Sequence, residues 1–165
     1  MKLIIFIQFL VFIGCGTNVN HTELNYNCVI LESTMESDKP IPFLIFRDTF
    51  MYVKKNTDQA IINGLKFDGD TIYVQENRDK FIFILNKEII NQIGEIVNGF
   101  SDTFTLEKTH PIFAISLISN KQKVVRFVNT QNQLKNLFDN LEIILRKTNL
   151  SEAIERVNSI RGQIW

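Results

Sequence analysis

The sequence predicts an α+β domain in which a mainly antiparallel sheet carries two or three helices on one face. Short aromatic and β-branched runs separated by polar turns are typical of strands. Longer segments whose apolar residues recur with helical period indicate helices. The strands come first, followed by a helix, a hairpin and one or two further helices. This order favours α+β over a regular alternation of strands and helices.

The predicted strands begin with Cys28 to Leu31, and two paired runs follow after a polar stretch with two prolines. The pairs are residues 43–46 with 50–53, and residues 60–67 with 71–75. Asp68-Gly69-Asp70 joins the second pair, and Asp-Gly favours a hairpin because the turn needs positive φ values that glycine supplies cheaply. Phe81 to Leu85 is apolar throughout, which predicts a central strand covered on both faces.

The first predicted helix has an apolar stripe from Ile89 to Phe100, with Asn86 able to cap its start and Gly99 its end. Two more strands are expected at residues 112–118 and 123–128.

The clearest helix follows these strands. Thr130 and Gln133 form a capping box, and an apolar stripe runs from Leu134 to Leu145. A last short helix is predicted from Ser151 to about Ser159.

The composition argues against nucleic acid as a main partner. The chain has 18 basic and 18 acidic side chains, so no basic excess exists to neutralise phosphates. No polybasic stretch is present that would hold an anionic bilayer by charge alone. Removal of Lys2 with a signal segment would leave 17 basic and 18 acidic groups, a formal charge of −1.

The first fifteen residues indicate an export signal. Behind Lys2, Leu3 to Ile13 is an apolar run of about eleven residues broken only by Gln8, a typical signal-peptide length and well short of the ~20 needed to span a bilayer. Phe12-Ile13-Gly14-Cys15 ends this run and resembles the lipobox of bacterial lipoproteins. Gly14 and Cys15 match its two most restrictive positions, whereas Phe12 and Ile13 stand where leucine and a smaller residue are usual.

The resemblance implies diacylglycerol on the Cys15 thiol, cleavage between Gly14 and Cys15, and acylation of the new amine. One acyl chain binds a bilayer only marginally, whereas several anchor stably. Gly16 and Thr17 carry neither the aspartate nor the acidic cluster that redirects some lipoproteins, so the expected location is the outer membrane, facing the periplasm. The expected organisation is a signal peptide at 1–14, a tether at 15–27, and one domain at 28–165 with a short C-terminal helix from about 150.

Cysteine and histidine offer little for catalysis. If Cys15 is acylated, Cys28 is a lone thiol; if an ordinary signal peptidase cuts upstream, a Cys15–Cys28 disulfide becomes possible. His21 lies in the predicted tether, and His110 precedes a proline before a strand. A nucleophile is credible only with a placed base, and zinc needs three or four ligands. We therefore expect no metal, no cofactor and no histidine-based catalytic site.

Two functional hypotheses remain open from the sequence. The first is a non-catalytic envelope module that binds a protein or a ligand, one version being an immunity or inhibitor lipoprotein that neutralises a toxin or enzyme. Trp165 is its candidate partner contact, unless that ring packs back on the domain. The second is a carboxylate-based hydrolase of envelope polymers, which would need two convergent carboxylates. The candidates are Glu32, Glu36, Asp38, Asp48 and Asp58.

Overall fold

The computed structural model describes residues 25–33, 43–56, 65–75, 79–105, 113–120 and 122–164. Eight strands and three helices lie in these ranges. Their order is β1 (Tyr26–Ser33), β2 (Phe43–Arg47), β3 (Tyr52–Asn56), β4 (Leu65–Asp68), β5 (Thr71–Gln75), β6 (Lys80–Ile84), α1 (Lys87–Asn98), β7 (Phe113–Ser119), β8 (Gln122–Val128), α2 (Gln131–Leu145) and α3 (Ser151–Ile164).

The strands form two sheets, and the α+β class with mainly antiparallel pairing is confirmed. The larger sheet has the order β6-β2-β1-β7-β8, and the smaller has the order β3-β5-β4. Four of the six strand pairings are antiparallel, whereas β2–β6 and β3–β5 are parallel. Parallel neighbours cannot be joined by a tight turn, so each parallel pair encloses other elements in sequence.

The central strand β1 separates two apolar cores because successive side chains of a strand point to opposite faces. Val29 and Leu31 share the larger core with side chains from all three helices. Cys28 and Ile30 belong to the second core, which the smaller sheet closes with Met51 and other apolar side chains. The smaller sheet therefore covers the face of β1 that the helices leave open.

The helices begin where the sequence predicts. The Asn86 side chain accepts the Ile89 backbone N–H at 2.9 Å at the start of α1. Thr130 and Gln133 make the reciprocal bonds of a capping box at the start of α2. Helix α3 extends five residues beyond its predicted end, to Ile164. Helix α1 packs against β1 and β7, whereas α2 packs mainly against α1 and α3.

Two strand predictions are confirmed by local pairing. Strands β4 and β5 are antiparallel neighbours, with the positive φ of 57° at Gly69. Gly69 is the first of the two residues between the paired ends Asp68 and Thr71, the position that type II′ hairpin turns reserve for glycine. The β7–β8 hairpin turns at Asn120, whose φ is also positive.

Two other strand predictions are wrong. Strands β2 and β3 do not form a hairpin, because the chain crosses between the sheets in the turn between them. Strand β6 is an edge strand of the larger sheet rather than a central one. Its inner side chain Phe83 is buried, but Ile82 and Ile84 are 39% and 50% exposed. The smaller sheet, which covers the face of the central strand, leaves these two isoleucines open to solvent.

The strand registers define two ends of the molecule. We term the end at which β1 begins the near end. The following strand ends lie there: Tyr26, Arg47, Tyr52, Thr71, Ile84 and Ser119. The opposite, far end holds Ser33, Lys80, Phe113 and Val128. The turns 48–51 and 69–70 and the start of α1 therefore lie at the near end.

Close packing between α1 and β1 depends on Gly94. A Cβ atom at this position would overlap the ring of Tyr26, which is buried. We predict that Gly94→Ala lowers the free energy of unfolding by about 1–3 kcal/mol, because overpacking outweighs the gain in helix propensity. Gly162 of α3 is the matched control, since a Cβ there meets no atom. Gly162→Ala should stabilise the chain by up to about 1 kcal/mol. Urea unfolding would measure both, and a stabilising Gly94→Ala would contradict the packing described.

Candidate functional site

Asp48 organises the turn that carries the chain from one sheet to the other. The residue is 4% exposed, and it is one of two buried polar residues among the described ones. One carboxylate oxygen accepts the backbone N–H groups of Phe50 at 2.9 Å and Met51 at 3.2 Å. The Asp48 N–H itself donates to the Asn27 carbonyl at 2.9 Å. The turn is therefore fixed to the start of β1 and closed on itself.

Two basic side chains complete this turn. The Lys87 ammonium lies 3.2 Å from the second Asp48 carboxylate oxygen and also donates to the Asn27 side-chain oxygen. Arg47 donates to the Met51 carbonyl at 2.6 Å and to the Asp48 carbonyl at 3.0 Å. Both oxygens of the Asp48 carboxylate are thus bonded to groups of the protein itself, and neither is directed at a substrate.

The same turn presents an apolar surface to solvent. Met51 is buried in the second core, so the residues on either side of it point away from that core. Phe50 is 74% exposed and Tyr52 is 58% exposed. Ile84 pairs with Arg47 on the neighbouring strand and adds a third exposed apolar side chain. We define Phe50, Tyr52 and Ile84 as the near-end apolar surface.

Cys28 is a structural thiol. It is free and fully buried in the second core. Burial raises the pKa of the Cys28 thiol above its ordinary value, the Asp48 carboxylate raises it further, and the Arg47 guanidinium lowers it in part. Because the thiolate is the reactive form, a buried thiol with a raised pKa is a poor nucleophile at neutral pH.

The candidate carboxylates are not brought together within the part of the chain that the structure describes. Asp48 lies at the near end, whereas Glu32 lies near the other end of β1, beside Ala114 of β7. Glu36, Asp38 and Asp58 lie outside the described residues, as do His21 and His110. Among the described residues, no three His, Cys, Asp or Glu side chains are grouped so that they could hold a metal ion.

One open depression of about 400 Å³ lies between the start of α2 and the end of α3. Gln131, Asn132, Lys135 and Arg161 line it. Arg161 is paired with Asp139 at 2.5 Å and with Glu142 at 3.3 Å, so carboxylates of α2 already compensate its charge. The depression is open to solvent and its lining residues are all polar or charged, unlike those of a typical small-molecule pocket.

The two site residues named from the sequence both lie beyond the described ranges. Cys15 precedes the first described residue, and Trp165 follows the end of α3. Of the helices the structure describes, none has the length and apolar character to cross a bilayer. Asp48 was predicted as a candidate catalytic carboxylate, whereas in the structure it fixes a turn. The near-end apolar surface has no signal in the sequence, because an exposed phenylalanine or isoleucine in an apolar run looks like a core residue.

Comparison with known proteins returned no relative for this chain. No protein-family model matches it, no curated protein matches it, and no solved structure matches it.

The burial of Cys28 predicts a difference in thiol reactivity. In the full chain with Cys15→Ser, where Cys28 is the remaining thiol, a maleimide reagent at neutral pH should leave the folded protein unlabelled and modify it fully in guanidinium chloride. Thr49→Cys in the same chain is the control, since residue 49 is exposed and should react while folded. Rapid labelling of Cys28 in the folded chain would show that the thiol is accessible.

Proposed function

We propose that this chain is a lipid-anchored protein of the bacterial cell envelope whose domain binds a protein or ligand and catalyses no reaction. The observation that carries the proposal is the apolar run Leu3 to Ile13, followed at once by Gly14-Cys15. The run has the length of an export signal, and the Gly-Cys pair supplies the thiol that a lipid would modify. The acyl chains would hold the domain on the outer membrane, facing the periplasm.

The described residues support a binding role for the domain. Two side chains suited to chemistry have structural roles instead: Asp48 accepts the hydrogen bonds that hold a turn, and Cys28 packs in the second core. In contrast, large apolar side chains stand exposed on a well-bonded turn and on an edge strand. Exposed apolar groups gathered at one end of a domain favour an interaction site over a reaction centre.

The anchor is tested by metabolic labelling with a clickable fatty acid. The wild-type chain should take up label, and Cys15→Ser should lose it, because the thiol is the proposed attachment site. Cys28→Ala is the matched control and should label like the wild type, since Cys28 is buried. Equal labelling of wild type and Cys15→Ser, or labelling of neither, would contradict the proposal.

The absence of catalysis is tested separately with the purified chain and cell-envelope polymers. We expect no soluble fragments to be released from peptidoglycan or other envelope glycans. If the wild-type chain releases fragments and Glu32→Gln or another candidate carboxylate variant does not, the domain is a hydrolase. The binding hypothesis would then be wrong, while the anchor would stand on its own labelling result.

A further inference from the structure

We propose that the near end is the surface with which the anchored domain rests on the bilayer. Phe50 enters the boundary between head groups and acyl chains, Tyr52 lies at head-group level, and Ile84 adds apolar contact beside them. The inference rests on the proposed lipid anchor and names which side of the domain the membrane meets.

The position of β1 brings the near end toward the anchor. Tyr26 follows Cys15 by only eleven positions, so covalent geometry limits the span between them to about 40 Å even when the segment is fully extended. The eight residues of β1 rise by about 26 Å toward the far end. To bring the far end to the bilayer, most of the segment between Cys15 and Tyr26 would have to run alongside the strands. The near end can reach the bilayer with the least extension of that segment.

Phe50 is held beside the point at which this chain enters the domain. The Asp48 N–H donates to the carbonyl of Asn27, the second residue of β1. The Asp48 carboxylate then accepts the Phe50 N–H, and Arg47 donates to the carbonyl of the next residue, Met51. The exposed ring is therefore presented from a bonded turn, close to the strand that leads back to Cys15.

The chemistry of the surface fits a bilayer interface. Aromatic side chains with a polar tip are favoured at head-group level, and phenylalanine is favoured deeper, at the acyl boundary. The charges at this end do not favour anionic lipid. In the two turns and the first turn of α1, the carboxylates outnumber the cations: Asp48, Asp68, Asp70 and Glu88 stand against Arg47 and Lys87. The contact should therefore form on neutral phosphatidylcholine and be insensitive to salt.

A weak surface is sufficient because the anchor keeps it close to the bilayer. Tethering turns a second contact into an intramolecular event at a high effective concentration. Three apolar side chains that could not hold a free protein on a membrane can therefore orient one that is already attached.

The test uses the full acylated chain in phosphatidylcholine vesicles that contain a spin-labelled lipid quencher. A fluorophore on Thr49→Cys reports on the near end, and a fluorophore on Gln131→Cys reports on the far end; both positions are exposed. We expect quenching at position 49 to be severalfold stronger than at position 131, at low and at high salt.

The variant Phe50→Ser with Tyr52→Ser should lower quenching at position 49 severalfold, toward the level at position 131. Its thermal unfolding should be unchanged, because both side chains are exposed. The matched control is Phe104→Ser, which removes an exposed aromatic side chain outside the near end. It should leave the difference in quenching between positions 49 and 131 unchanged.

The outcomes separate this proposal from the anchor itself. If the chain does not sediment with the vesicles, the lipid anchor is wrong. If it sediments but the two fluorophores are quenched equally, or position 131 more strongly, the anchor stands and the orientation is overturned. Quenching at position 49 that persists in the double variant would likewise overturn the role of Phe50 and Tyr52, and would leave that surface to a protein partner.

Discussion

Burial of β1 on both faces is the constraint on which the arrangement of the helices and the smaller sheet depends. Val29 and Leu31 require the helices on one side, and Cys28 and Ile30 require the smaller sheet on the other. A shift of one residue in its pairing would exchange the two sets and place each against the wrong layer. The Asp48 turn follows from the same constraint, because the chain must leave the larger sheet after β2 to cover the second core.

The parts of the fold that the sequence predicted are those specified by neighbouring residues. Two kinds of local signal act over only a few positions: the helix caps at Asn86 and Thr130, and the glycine of the β4–β5 turn. They can therefore be predicted from the sequence without the tertiary structure. The partners of β2 and β6 are set over longer distances. An apolar run such as Phe81 to Leu85 shows that a strand can be buried, but it does not show whether a second layer reaches it.

The candidate site divides in the same way. The proposed lipid attachment at Cys15 rests on a local motif, so the sequence alone is enough to propose it. The surface of Phe50, Tyr52 and Ile84 exists only because the chain changes sheets at Asp48 and because β6 lies at an edge. A hairpin between two core strands would have made residues 47–49 an ordinary solvated loop. The structural role of the Asp48 turn instead depends on its bonds to Asn27 and Lys87, which are far from it in the sequence.

The residue at position 50 argues that the turn does more than connect two sheets. Turn positions exposed to solvent are most often glycine, asparagine, aspartate or serine, and the Asp48 bonds to this turn use only its backbone. A polar side chain at position 50 would therefore serve the fold equally well. An exposed phenylalanine contributes nothing to the second core, which Met51 fills from the same turn. Because the turn is already ordered, burying that ring against a partner would cost little further conformational entropy. The exposed ring is thus better explained by a contact outside the domain than by the packing within it.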